Sequence, residues 1–256
     1  MKPKIATPIS KLFNNSSLQK EILELSDVVE LREYSNPIES DLPRIYHCDW
    51  SVVDVWSAEE VEKIANIIRS NNPQLVTFHV NSCYFKPPIE DDMFVPSGEK
   101  LAESELIGNA RRNLEKLETA VGRKFQKGVE NTNYYPTGAY EIVTTPEFLN
   151  KLMSEFDMKF LLDMAHAQIT AINKKIALED YLGRLNLDRA IQMHISRPDK
   201  NETLAKDIHE SLEDDDWDMV RKLVSRCPNL QYMTLEYYKD DKKLILMLKK
   251  LKEILA

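Results

Sequence analysis

Histidines recur at matching places along this sequence, next to the ends of short apolar runs. The chain has only five of them. Each histidine lies near the end of such a run or in the segment that follows it, and none falls in a predicted helix. The five are His47, His79, His166, His194 and His209. Taken singly, each would more often be a surface or core residue than a metal ligand. Five imidazoles at equivalent places predict a shared metal site.

Four carboxylates follow the same pattern. Glu130 ends the run KGVE, Asp163 ends KFLLD, Glu236 ends MTLE, and Asp207 stands two residues before His209. A carboxylate after inward-facing apolar residues is costly to bury unless it is paired or bound to a cation.

Five imidazoles and four carboxylates exceed the roughly four to six ligands that one ion takes. They therefore predict a cluster of two or three ions with a bridging carboxylate. Glu130, in the middle of the strand order, is the predicted bridge and the one catalytic residue assigned. The ligand types suit zinc, iron or manganese without choosing among them.

Eight β-rich runs alternate with helical periodicity and would hold these side chains. The predicted strands are 4–10, 27–33, 44–50, 74–80, 127–131, 159–164, 189–196 and 230–237. The predicted helices are 11–25, 57–71, 101–121, 145–156, 178–185, 215–226 and 240–256. This pattern predicts the α/β class and a (β/α)₈ TIM barrel that forms a single domain, 1–256. The carboxyl ends of barrel strands converge on one mouth, where the candidate ligands would meet.

The alternative is an open doubly wound sheet. It is disfavoured because the strand count reaches eight and no G-x-G-x-x-G or G-x-x-x-x-G-K-[ST] segment exists. For the same reason no nucleotide cofactor is expected. The sequence also lacks G-x-S-x-G, the elbow of many hydrolases.

Composition narrows the classes of protein further. A net charge of -8 and a pI of about 5.3 disfavour a general nucleic-acid coat. Three cysteines without a C-x-x-C pair favour a reducing cytoplasm. No apolar run reaches the roughly 18 residues of a membrane span, and no apolar leader follows the first lysines.

The longest predicted irregular segment is 81–100, with three prolines and one glycine. A loop of this length in a compact domain usually has a function or is mobile. Tyr84, Phe85 and Phe94 are expected to help cover the metal site, or else the segment is an ordinary surface excursion.

The ligand order His, His, Glu, Asp-x-x-His, His, Asp-x-His, Glu resembles that of the xylose isomerase-like TIM-barrel superfamily. Two of its families are similar to this chain. DMAHA and DIHESL resemble segments of endonuclease IV, which has a trinuclear zinc site. VENTNYY, TTPEFLNKLMSEFDMKFLLDM, EDYLGRLNLDRAIQMHIS, TLEYYKDD and LVTFHVNSCY resemble the multinuclear non-haem iron-dependent oxidative enzymes. The second likeness extends from about Ile45 to Asp241 and is strongest from Gly128 to Pro198.

Resemblance to the iron family implies two or three metal ions, with iron preferred. It implies an oxidative enzyme that uses O₂ to modify cysteine or other residues of ribosomally made peptides. A peptide substrate and a peptide-recognising partner protein are expected under it. The residues expected to line the substrate pocket are Asn131, Tyr134, Tyr135 and Tyr84.

The chain departs from the iron family at three positions. That family commonly has two asparagines where this chain has Ala165 and His166, and it often has a second loop histidine where this chain has Ser211. These departures resemble the endonuclease pattern, although the chain lacks that family's glycine-rich stretch after ENT and an arginine-rich DNA-inserting loop. The alternatives are a zinc phosphodiesterase acting on abasic DNA, a metal-dependent sugar isomerase or epimerase, and a metal-binding scaffold without activity.

Overall fold

A computed structural model describes residues 2–201 and 203–256, apart from the side chain of Ser16. Its main feature is a closed barrel of parallel strands, in which the first strand pairs with the last. In the described part of the chain these strands are β1 (Lys4–Pro8), β2 (Val28–Leu31), β3 (Arg44–Ser51), β4 (Val76–His79), β5 (Lys127–Glu130), β6 (Lys159–Asp163), β7 (Ala190–Ile195) and β8 (Tyr232–Leu235). The predicted α/β class and (β/α)₈ barrel are confirmed. The single domain, 1–256, stays a prediction.

The helices packed around the barrel are α1 (Ser16–Leu25), α2 (Ala58–Asn71), α3 (Glu103–Val121), α4 (Pro146–Glu155), α5 (Met164–Lys174), α6 (Leu178–Arg184), α7 (Asp214–Arg226) and α8 (Asp241–Ile254). The local sequence determines where several of these helices begin. Ser57 and Glu60 form a capping box at α2, and Thr145 caps α4 with Pro146 at its first position. None of these helices is long and apolar enough to cross a membrane, for the residues that the structure describes.

Helix α5 was not predicted. Residues 164–171 are all buried, so the segment has no polar stripe that would reveal helical periodicity. It begins directly after β6 without a loop, and α6 follows before β7. The expectation that no histidine lies within a helix was therefore wrong for His166, the third residue of α5.

Two antiparallel ribbons extend from the carboxyl end of the barrel. The first pairs Ile89–Glu90 with Met93–Phe94 inside the predicted irregular segment 81–100. The second pairs Arg197–Asp199 with Lys206–Glu210. His209 therefore lies in a ribbon strand rather than in an irregular loop, and its φ of 47° gives the strand a local kink.

Buried apolar side chains fill the space between strands and helices in one large cluster. A separate cluster consists of Ala6, Val28, Ile45, Leu75, Ile191 and Tyr232. Because strand side chains alternate, Val28 shares a face with Glu30, and Ile45 shares a face with His47. The small cluster therefore forms an apolar layer one step nearer the amino ends of the strands than the polar residues of the mouth.

Candidate metal centre

The structure places all nine predicted ligands at the carboxyl end of the barrel. His47 lies within β3 rather than near its end. The others lie near or just after strand ends, in the first turn of α5, or in the ribbon after β7: His79, Glu130, Asp163, His166, His194, Asp207, His209 and Glu236. Four sets of three side chains have ligand atoms within 4.8 Å of one another. These sets include every predicted ligand except Asp207 and His209, and they add Glu30 and Asp49. Ligand atoms on one ion are at most about 4.4 Å apart, so such sets approach the size of an ion site.

Glu130 lies between two pairs of imidazoles. Its Oε2 atom is 3.1 Å from Nδ1 of His79 and 3.6 Å from Nε2 of His47. Its Oε1 atom is 3.4 Å from Nδ1 of His194 and 3.8 Å from Nδ1 of His166. Nδ1 of His166 is held by the carbonyl oxygen of Asn131 at 2.9 Å, so the ring nitrogens left to bind an ion are those of His47 and His79 beside Oε2 and that of His194 beside Oε1. One carboxylate oxygen facing each side is the arrangement that a bridging ligand needs. The bridging role itself stays a prediction.

The Asp163-x-x-His166 spacing has a structural role as well as a place at the mouth. Oδ1 of Asp163 accepts a hydrogen bond of 2.6 Å from the backbone N–H of His166 and so caps α5. Its Oδ2 atom stays on the barrel side, 3.9 Å from Nδ1 of His194. The cap thereby fixes both side chains at the rim.

Three of the histidines have one ring nitrogen held from outside the centre. Nδ1 of His47 lies 2.8 Å from Oγ1 of Thr77, and Nδ1 of His166 lies 2.9 Å from the carbonyl oxygen of Asn131. Nε2 of His194 lies 3.0 Å from Oε2 of Glu30. The second nitrogen of each ring is then directed toward other candidate ligands. Metal-binding histidines usually have such an outer partner, which fixes the tautomer and the ring orientation.

Several polar atoms of the centre are buried without a hydrogen-bond partner among the described residues. They include Oε2 of Glu130, Oδ2 of Asp163, Nδ1 of His194 and Oδ1 of Asp207. Buried polar atoms are costly when unpaired, and most find a partner. The atoms on Glu130, Asp163 and His194 lie around one small volume and fit metal ions, and so does the donor set of imidazoles and carboxylates.

The electrostatics of the mouth are dominated by crowded acids. Burial raises the pKa of Asp163 to about 7, helped by the nearby carboxylate of Glu130 and opposed by His166. Burial opposes ionisation of Glu236 as well, but His194 and Arg32 outweigh it and hold its pKa well below the usual range. Burial lowers the pKa values of His47 and His79, which favours the neutral imidazole that binds metals.

Three further residues of the mouth were not predicted from the sequence: Glu30, Arg32 and Asp49. Glu30 is fully buried and accepts hydrogen bonds from Gln192 at 2.6 Å and Thr234 at 2.9 Å. Arg32 forms ion pairs with Glu30, Glu236 and Asp49. Alternation places Glu30 and Arg32, the residue after β2, on one inner face, and His47 and Asp49 on the inner face of β3. That spacing alone does not distinguish them from a solvated pair, because their contacts depend on the closed barrel.

The four residues predicted to bind substrate all make contacts within the protein. Asn131 is fully buried, donates to the carbonyl of Asp163 at 3.0 Å and accepts from its N–H at 2.8 Å. The hydroxyl of Tyr135 accepts from the N–H of Asp207 at 3.3 Å and so holds the second ribbon. Tyr134 donates to Glu141, and the backbone of Tyr84 pairs with that of Lys100. Contact of these four residues with a substrate stays a prediction.

The first ribbon is anchored beside the mouth. Backbone groups of Phe94 bond to the hydroxyls of Tyr140 and Thr137, each at 2.7 Å. Nζ of Lys206 lies 3.3 Å from the carbonyl oxygen of Asp91 and joins the two ribbons. The predicted covering role of segment 81–100 is compatible with these contacts and stays a prediction.

Comparisons with known proteins agree with this geometry. A family model described as "RiPP precursor modification enzyme MbnB/TglH/ChrH" matches residues 51–255. A UPF0276 protein of Shewanella loihica is 25% identical over 152 residues, which are 59% of this chain and 52% of that protein. This chain therefore spans about half the length of that relative.

Solved structures show the same fold. The crystal structure of a D-tagatose 3-epimerase-like protein matches with a TM-score of 0.66 and 15% identity, over 98% of this chain and 97% of the other. A xylose isomerase-like TIM barrel protein from Mycobacterium smegmatis in complex with magnesium matches with a TM-score of 0.57 and 13% identity, over 100% and 98%. The predicted xylose isomerase-like barrel is confirmed.

Proposed function

The chain belongs to the family of RiPP precursor modification enzymes MbnB/TglH/ChrH, the multinuclear iron family that its sequence resembles, and from that premise we propose an O₂-dependent peptide oxidase. Its substrate is a ribosomally made peptide, with a cysteine as the first choice of modified residue. Its cofactor is a cluster of iron ions at the barrel mouth.

The position of Glu130 carries this proposal. One of its oxygens faces His47 and His79 and the other faces His194, so one side chain can connect two ions in a single centre. A sugar isomerase or epimerase needs one or two ions and leaves much of this ligand set unused. Likeness to an epimerase-like structure at 15% identity concerns the fold alone.

Bound iron would supply the electron transfer to O₂ that peptide oxidation requires. The residues of this chain perform the remaining tasks. The side chains that would hold the ions are His47, His79, Glu130, Asp163 and His194. Thr77, Asn131 and Glu30 orient those ligands from outside. The two ribbons beside the mouth would bind the peptide backbone and limit the entry of water.

A second candidate is an endonuclease IV-like zinc phosphodiesterase. One observation favours it, because Nε2 of His166 lies 3.3 Å from Oδ2 of Asp207 at the position where the chain departs from the iron family. Three zinc ions there would activate water and clamp a phosphodiester. Nucleic acid is a partner only under this candidate.

The test uses the short cysteine-bearing peptide encoded nearest to this gene, with any small protein encoded beside it as the proposed peptide-recognising partner. Protein loaded with iron under anaerobic conditions is mixed with the peptide, exposed to O₂ and analysed by mass spectrometry. We expect a change in peptide mass that needs both iron and O₂ and is lost in Glu130→Gln. Arg184→Ala is the control, because this exposed arginine pairs only with Glu147 among the described residues.

An unchanged peptide, with cleavage of abasic-site DNA by the zinc-loaded protein, would contradict the oxidase and favour the second candidate. A cytoplasmic location accompanies the proposal, since a reducing compartment keeps both iron and the peptide thiol reduced.

A further inference from the structure

Arg32 occupies an unusual place for a cationic side chain, inside the mouth of the barrel. Its Nη2 atom lies 2.8 Å from Oε1 of Glu30 and also contacts Oε1 of Glu236. Its Nη1 atom lies 3.6 Å from Oδ1 of Asp49. Glu30 and Glu236 are almost fully buried, so the guanidinium joins two carboxylates that water does not reach.

Strand geometry accounts for this position. Glu30 is the third residue of β2, and Arg32 follows the end of that strand by one residue. Alternation directs both side chains to the inner face, with Arg32 one layer nearer the mouth. Both precede residue 51, where the family match begins.

One of the four convergent ligand sets consists of Glu30, His194 and Glu236. By residue type and spacing it is a candidate ion site like the other three. It differs from them because the two carboxylate oxygens that face each other already share a guanidinium nitrogen. The three remaining sets have no Lys or Arg partner within the described residues, apart from the contact of Arg32 with Asp49.

Charge balance gives the contact a function. Six carboxylates line the mouth: Glu30, Asp49, Glu130, Asp163, Asp207 and Glu236. Arg32 is the one Lys or Arg side chain in the described part of the chain that forms ion pairs with any of them. A guanidinium keeps its charge at any ordinary pH and presents several donors in a plane, which suits two facing carboxylates.

We propose that the guanidinium of Arg32 is a built-in cation that replaces a metal ion at the set Glu30, His194 and Glu236. The metal centre is thereby confined to the positions around Glu130. This inference rests on the proposed function only in assuming that the mouth holds metal ions at all.

Two measurements test it. Anomalous diffraction from crystals of the metal-loaded protein should show ions near Glu130 and no ion between Glu30 and Glu236. Metal analysis of Arg32→Ala at saturating divalent metal should give one more ion per chain than the unaltered protein, because the freed carboxylates of Glu30 and Glu236 then bind it. Arg32→Lys, which keeps a positive charge there, and Arg184→Ala, which changes a surface arginine, should leave the metal content unchanged.

An anomalous peak between Glu30 and Glu236 in the unaltered protein would overturn the inference, as would an Arg32→Ala protein with no additional ion. If Arg32→Ala does not fold, the diffraction result decides alone. A protein that binds no metal in any form would instead overturn the proposed function, so the two failures are distinguishable.

Discussion

Replacing Glu30 with glutamine tests whether the centre depends on residues behind its ligands. Oε2 of Glu30 accepts hydrogen bonds from Nε2 of His194 at 3.0 Å, Gln192 at 2.6 Å and Thr234 at 2.9 Å. Burial opposes ionisation of Glu30, but His194 and Arg32 outweigh it and lower its pKa, so the carboxylate is charged at neutral pH. Glutamine keeps the size of the side chain and removes that charge.

The expected effect is a loss of metal affinity without a loss of sites. Loss of an outer partner of a metal-binding histidine typically lowers affinity by about 10- to 100-fold. This corresponds to about 1.4 to 2.7 kcal/mol. A charge-assisted hydrogen bond contributes about 1.5 to 3 kcal/mol against about 0.5 to 1.5 kcal/mol for a neutral one, which supports the lower half of that range. Because Arg32 already holds Oε1 of Glu30, the number of ions bound at saturation should not change.

The assay is a chelator-competition titration with Co²⁺, followed by metal analysis at saturation. Asp216→Asn is the matched control, since Asp216 is also a buried carboxylate but pairs with Lys200 and accepts from the backbone N–H of Glu213 at the start of α7. It should lower stability and leave metal affinity unchanged. Unchanged affinity in Glu30→Gln would refute the outer-partner reasoning. Loss of one whole ion at saturation would show that Glu30 is itself a ligand.

Two further predictions concern the rim. Because the pKa of Asp163 is raised to about 7, this carboxyl contributes to the stability of the metal-free protein at low pH, and that contribution is lost as the pH rises through about 7. Metal binding needs the deprotonated carboxylate, so the metal affinity should fall as the pH decreases through about 7. Asp163→Asn should weaken metal binding and flatten this pH dependence, as measured by metal titrations at several pH values. A steeper pH dependence in the variant would contradict the assignment of Asp163 as the titrating ligand. Tyr135→Phe removes the hydroxyl that accepts from the N–H of Asp207. Loss of this hydrogen bond, about 1 kcal/mol, should make hydrogen exchange of the backbone amides of 206–210 roughly fivefold faster, whereas Tyr232→Phe, remote from the ribbon, should not change it. Equal exchange rates in Tyr135→Phe and the unaltered protein would refute the contact.

The ring of candidate ligands could be predicted well from the sequence because each of the six strands β3 to β8 carries, or is directly followed by, one acid or one histidine of the ring. Glu130, Asp163 and His194 could be recognised without knowing which strand faces which. Glu30 and Arg32 could not, since an acid and a base two residues apart in a strand more often form a solvated surface. The place of Glu30 and Arg32 in the mouth depends on the contact of Arg32 with Glu236, just after the last strand. Only closure of the barrel provides that contact.

Helix α5 shows a second kind of limit. Its first eight residues are buried on every side, so amphipathic periodicity, the main signal for a helix, is absent from them. The capping role of Asp163 and the absence of a loop after β6 could be recognised only once the last residue of β6 was known. Both ribbons escaped prediction. Three of their strands have only two or three residues and give no alternation to detect, and the fourth, Lys206–Glu210, has a single apolar residue.

The metal content of protein purified without added metal tests the central claim most directly. We predict at least two iron ions per chain, reduced to one or none in Glu130→Gln because both ions share that carboxylate. Zinc as the sole metal, or fewer than two ions per chain in the unaltered protein, would contradict the account of an iron cluster bridged by Glu130.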